Sequence, residues 1–357
     1  MKRVLAVLLA GLMLCGCFAM LASASAEDDL KKAIDDLMGS IGGGETAKAI
    51  QDAIDAFGVD ITDKFTDVAF RAKVYELIGK TAPEPIYDTD VAGIEELSVV
   101  GFWYESLAGL EYFTGLVKLE CIFTGITALP SLPLGLEILD CIGNQLKTLP
   151  TLPSGLKELL CSDNPLGRLP ALPSGLEELN CYRNQLTALP TLPSTLKGVV
   201  CHSNRLISLP TLPSSLEFLM CSYNQIIALP TLPSKLDYLF CENNLLTSLP
   251  ALPNGLIYLD CSNNRLATLP KLPSSLNGLG CNGNRLTGLD VTGLQLELLW
   301  CQNNRIPNKS AIKGFNGTWD GEYFIFDPQN DAPFWTTLSP FLQFILRWFL
   351  FGWLWMG

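Results

Sequence analysis

Histidine occurs once in the 357 residues, at His202, and Lys and Arg together number 24 against 36 Asp and Glu. A single imidazole excludes zinc sites built on several histidines and leaves one side chain for imidazole acid–base chemistry. The shortage of basic residues gives a net charge of −12, which argues against nucleic acid or anionic lipid as a partner of the soluble part. Cysteine is plentiful, at 12, yet no Cys-x-x-Cys pair or Cys/His cluster occurs. Neither a metal nor another cofactor is therefore expected.

What the chain has in abundance is a repeat. Cys121, Cys141, Cys161, Cys181, Cys201, Cys221, Cys241, Cys261, Cys281 and Cys301 follow one another at an unbroken spacing of twenty. Around Cys161 the unit reads Leu156, Leu159, Cys161, Asn164, Leu166, Leu169-Pro170, Leu172-Pro173, which is a leucine-rich-repeat pattern with Cys in an aliphatic slot. Alternation of Leu159 and Cys161 with Glu158, Leu160 and Ser162 predicts a short strand with leucine and cysteine inward. Asn recurs from Asn144 to Asn304 at the same spacing, where an inward amide can satisfy backbone groups of its own and the adjacent coil; Thr124 holds that place in the first coil. The return half, Leu149-Pro150-Thr151-Leu152-Pro153 and its copies, excludes helix and favours extended backbone, until it lapses at Leu289-Asp290-Val291-Thr292-Gly293.

The predicted fold is an α/β-type solenoid, a right-handed superhelix with a parallel concave sheet, an extended convex side and a helical N-terminal cap. Ten coils would span about 45–50 Å at the usual strand spacing.

The chain divides by composition. Residues 1–26 read as a signal peptide: Lys2-Arg3, an apolar run, then Ala24-Ser25-Ala26. An uncleaved anchor, or lipoprotein processing at Cys17, is the alternative, and export follows in each case. Residues 27–82 read as a helical cap, its last helix placing Phe70, Val74, Leu77 and Ile78 on one face and shielding the first edge strand. The solenoid runs over 83–310, beginning with a degenerate repeat at 86–117. A C-terminal cap over 311–333 carries a Tyr323–Phe326 strand. Residues 334–357 are apolar on nearly every helical face, and Phe341–Met356 is expected to contact a membrane; docking on a partner or on the protein's own surface, or processing of a sorting tail, are the alternatives. No LPxTG motif occurs, since each Leu-Pro belongs to the repeat.

An even cysteine count in an exported protein invites a disulfide framework. Parallel inward Cβ vectors on neighbouring strands fit the required torsion poorly, which favours a ladder of buried free thiols. The adjacent Cys201 and His202 imitate a nucleophile and its base, but strand alternation sends them to opposite faces, and no enzyme activity is expected.

The outward strand positions gather Tyr182, His202, Phe218, Met220, Tyr238, Phe240 and Tyr258 over the central coils. Exposed aromatics rimmed by Glu158, Glu178, Glu242 and Asp260 suit a ligand patch, although aromatics also simply favour strands.

These repeats resemble bacterial leucine-rich-repeat proteins of the cysteine-ladder kind, related to the internalins. Leu-Pro-x-Leu-Pro is also similar to the repeats of type III secreted effectors. Phe65-Thr66-Asp67-Val68-Ala69-Phe70 and Gly109–Leu116 resemble the N-terminal cap of the internalin group, and Ser310-Ala311-Ile312 with Phe326-Asp327-Pro328-Gln329 its C-terminal boundary. The resemblance covers roughly residues 60–330 and implies a binding or adhesion module at the cell envelope, monomeric in its soluble part, that recognises a protein or glycan on the concave face. A ligand-free surface spacer and a secreted host-directed effector are the other readings.

Overall fold

The computed structural model describes residues 58–101 and 103–329; the predicted signal, the helices over 27–57 and the apolar C-terminal segment lie outside them. Strand β1 spans Glu96–Ser98, and β2 to β10 are three-residue strands starting at Lys118, Ile138, Glu158, Glu178, Gly198, Phe218, Tyr238, Tyr258 and Gly278. β11 (Leu289–Asp290) precedes β12 (Leu298–Trp300), followed by β13 (Ile312–Lys313) and β14 (Phe324–Ile325). Twelve of these form one parallel sheet in the order β1 to β10, β12, β14.

Register follows the repeat. Leu139 pairs with Leu159 and Leu159 with Leu179, each twenty residues on. β1 fits at an offset of 22, Leu97 opposite Leu119, so Leu97 and buried Val99 take the leucine and cysteine slots of an irregular first coil. The expected degenerate repeat is therefore a paired coil of the sheet.

All ten ladder cysteines are free and fully buried, inside a continuous core with the inward leucines. Each strand ends in a corner. One residue there adopts the left-handed region in every coil, from Phe123 (φ 53°) and Gly143 (φ 72°) to Asn303 (φ 57°). For a non-glycine residue this costs about 1–2 kcal/mol, and it aims the next residue inward. Asn164 then donates through Nδ2 to the carbonyls of Cys141 (2.9 Å) and Cys161 (3.3 Å), while its Oδ1 accepts from the amide of Leu146 (3.0 Å). The asparagines thus bind each coil to the one before it, as their chemistry requires. In the first coil the hydroxyl of Thr124 donates instead to Oδ1 of Asn144 (2.7 Å).

The convex side is extended and unpaired where the prolines remove donors. Where they lapse, the donors return: β11 pairs with β13, and Val291 N–H donates to the Lys313 carbonyl (2.9 Å). A second, two-stranded sheet results.

At the N-terminal end, helix α1 (Val68–Ile78) is capped by Asp67, whose Oδ1 accepts from Phe70 N–H (2.7 Å) and whose Oδ2 accepts from Ser106 N–H (3.3 Å). Phe70 packs edge-on against Phe65 (5.8 Å) and Tyr104 (6.2 Å), and Phe65 meets Phe113 (6.3 Å). The buried face of α1 is Phe70, Val74 and Tyr75, and Leu77 is 40% exposed. The expected apolar face is corrected at that position, because the Tyr75 hydroxyl donates to the Glu84 carbonyl (2.6 Å) and draws its ring in. Among the described residues no helix is long and apolar enough to cross a membrane.

Candidate functional site

Outward residues of β7 to β9 form a strip of touching rings. Phe218 lies 6.3 Å from Tyr238 and 5.8 Å from Phe240, and Phe240 stacks on Tyr258 at 5.0 Å with 29° between planes. Pairing sets this order: Phe218 is opposite Tyr238 and Tyr238 opposite Tyr258, with Met220 opposite Phe240. A second pair lies two coils earlier, where Tyr182 stacks on His202 at 4.7 Å with the rings nearly parallel. The seven residues expected from the sequence therefore do gather on one face, in two neighbouring groups.

Their exposure corrects the expectation. Phe240 is 3% exposed and His202 6%, while Tyr182, Phe218, Met220, Tyr238 and Tyr258 are half-buried. The carboxylates expected as a rim also split. Asp260 and Glu242 are buried within the face, whereas Glu158 and Glu178 are half-buried beside it. Two causes are visible. The Ser222 hydroxyl donates to Glu242 (2.5 Å), and Asp260 accepts from Ser262 N–H (3.0 Å), so both acids have partners that compensate burial. Glycine supplies the space: a Cβ at Gly278 would lie 2.4 Å from the Tyr258 ring, and one at Gly280 2.8 Å from the Asp260 carboxyl carbon. Tyr258 and Asp260 lean over the next coil because nothing stands there. That glycine pair, in two outward slots of one strand, was the sequence signal for this arrangement.

Burial sets the protonation states. It pushes the Tyr182 hydroxyl up to about 12, with Asp163 adding, and Glu178 up to about 7, with Glu158 adding. It pushes His202 down to about 4, with Arg183 contributing, so the imidazole is neutral at physiological pH. Its Nδ1 lies 3.0 Å from the Ser203 hydroxyl. Cys201 sits in the core on the other side of the strand, and burial raises its thiol, like the Cys161 and Cys301 thiols at about 12. A neutral thiol and a neutral imidazole on opposite faces make no nucleophile–base pair. Among the described residues no group of three or more His, Cys, Asp or Glu is placed to hold a metal ion.

No protein-family model and no curated protein matches the sequence. Solved structures do. The functional domain of InlJ from Listeria monocytogenes, which includes a cysteine ladder, is similar at 31% identity over 69% of this chain, with a TM-score of 0.63. This chain has the leucine-rich-repeat fold with a cysteine ladder and is similar in both to that internalin domain. It spans 58% of that InlJ domain. The leucine-rich-repeat domain of APL1B shares the fold at 24% identity and a TM-score of 0.53, over 60% of this chain and 71% of its own. FLRT2, solved in an octameric complex with Latrophilin 3 and Unc5D, matches at 20% identity and a TM-score of 0.50, over 63% of this chain and 78% of its own. The leucine-rich-repeat architecture accounts for every inward residue above and leaves the outward rows free to vary. In this protein they vary toward aromatics in β7 to β9.

Proposed function

We propose that the chain is a binding module displayed at the cell envelope, and that a protein partner sits on the concave face over Tyr238 and Tyr258. The observation carrying this reading is the ring strip from Phe218 to Tyr258, whose Phe218, Tyr238 and Tyr258 are half-buried on an outward face that the solenoid does not need for its own core. Tyrosines of this kind offer wide, stiff contact surfaces with a polar tip, the usual composition of interface hot spots. Phe240 supports them from beneath. The polar groups behind the rings are already hydrogen-bonded, so a partner needs to supply few donors at the centre.

The expected signal peptide supports a position outside the cytoplasm, where Phe341–Met356 would hold the module at the membrane. Glycans are a second ligand class compatible with the same rings. Capture from envelope and host-surface extracts on immobilised protein tests the reading, comparing wild type with a Tyr238→Ala/Tyr258→Ala variant. A partner retained by wild type and lost by the variant supports it; equal retention by both removes this face from the function.

A further inference from the structure

Arg265, Arg285 and Arg305 occupy the same slot in three successive coils, four residues after Cys261, Cys281 and Cys301. Their alignment is fixed by a second rail of backbone hydrogen bonds: each arginine N–H donates at 2.8 Å to a carbonyl of the coil before, Leu246, Leu266 and Leu286 in turn. All three side chains are exposed, and among the described residues none joins an ion pair. Their backbone positions step by about 4.8 Å, so three like charges with no counter-charge repel one another along the surface.

The surrounding charge makes this row unusual. Residues 257–313 hold six Lys and Arg against three Asp and Glu, a net of +3, in a chain whose net is −12. One of the three acids, Asp260, is buried on the concave face. The slot does not demand a cation, since Gln145, Gln185 and Gln225 fill it in other coils. Two positions from the arginines along the chain stand Asn263, Asn303 and Thr287, and none of the residues in those flanking positions is aromatic.

We propose that this row is a binding strip for an acidic polysaccharide. Planar guanidinium forks match sulfate or carboxylate groups carried on successive sugars, and the flanking amides and hydroxyl suit sugar hydroxyls. Neutralising the row from outside removes the repulsion that the fold leaves uncompensated. The strip lies on the turn edge, apart from the ring strip, so it stands or falls independently of the protein-binding reading.

The test uses full-length protein with three probes: dextran sulfate, a polyuronate and neutral dextran, with single-stranded RNA as a fourth arm. Wild type should bind at least one acidic glycan and no neutral dextran. Arg265→Gln/Arg285→Gln/Arg305→Gln should weaken that binding roughly a hundredfold at low salt and flatten its salt dependence by about one ion per arginine. Arg205→Gln, which alters an isolated arginine in the same slot, should change nothing, and circular dichroism should be the same for all variants. Tyr238→Ala/Tyr258→Ala should bind the acidic glycan as wild type does. Retention of full affinity by the triple variant, no binding of either acidic glycan, or RNA bound as tightly as the glycans would each overturn the proposal.

Discussion

The Gln329 side-chain amide donates to the Cys301 carbonyl at 3.0 Å and also to that of Phe326, while its Oε1 accepts from Asn304 N–H at 3.2 Å. The two donated bonds repeat those of the ladder asparagines past the last cysteine, while the accepted one falls on Asn304 itself, as that of Asn144 falls on Thr124 N–H (3.1 Å). Phe326 stands in the cysteine slot and Gln329 three residues on, as Asn304 follows Cys301. The cap is a final coil in which a ring cluster of Phe315, Trp319, Phe324 and Phe326 replaces the leucine core.

Gln329→Ala should therefore strip the Phe326 carbonyl and the Asn304 N–H of their partner, leave the Cys301 carbonyl with Asn304 Nδ2 alone (3.0 Å), and destabilise the last coil by roughly 2 kcal/mol. Hydrogen exchange localises the effect: amides of residues 299–304 should lose protection while those near Cys161 keep theirs. Uniform protection along both stretches would show that the cap does not close the ladder.

Within the array, asparagine and cysteine should differ sharply in cost. Asn224 bonds to the carbonyls of Cys201 (3.0 Å) and Cys221 (3.1 Å) and to the amide of Leu206 (2.9 Å). Asn224→Ala should cost about 3 kcal/mol or more, whereas Cys221→Ala removes one sulfur from the core and should cost about 1 kcal/mol. Denaturant unfolding of the two variants checks the order; a reversal would mean that the thiol row, and not the amide row, holds the coils together.

Much of this was legible in advance because the repeat multiplies each inference. A slot that holds cysteine ten times over, or leucine or asparagine nine times in ten, declares its direction, and the parallel sheet, the free thiols and the extended convex side all followed. The outward rows have no such redundancy. Burial of Phe240, Asp260 and Glu242 depends on single neighbours such as Gly280 and Ser222, which differ from coil to coil. Tyr75 displaced Leu77 from the α1 face through one hydrogen bond to Glu84, and no periodicity encodes that. Gln329 was hidden because the spacing stretches from twenty to 25 between Cys301 and Phe326.

The ladder thiols should react only on unfolding. Native protein without reductant should show almost no accessible thiol among the ten, and denatured protein about ten. A shortfall after denaturation would reveal disulfides.

His202 makes stability depend on acid. Its folded-state value near 4 lies below the ordinary 6.5, so the neutral form favours folding. As pH falls from about 6.5 the unfolded chain takes up a proton that the folded chain refuses, until about pH 4. Stability should fall across that window by up to roughly 3 kcal/mol. His202→Phe keeps a ring against Tyr182 and should lose this part of the decline; an unchanged pH profile would place the imidazole in water.

The location of the binding face is tested most directly by hydroxyl-radical footprinting of the protein with a partner captured by wild type. Tyr238 and Tyr258 should become protected, while Trp103 and Tyr323, both exposed and away from the strip, should react as before. Protection elsewhere, with Tyr238 and Tyr258 as reactive as in the free protein, would contradict the assignment of the concave ring strip.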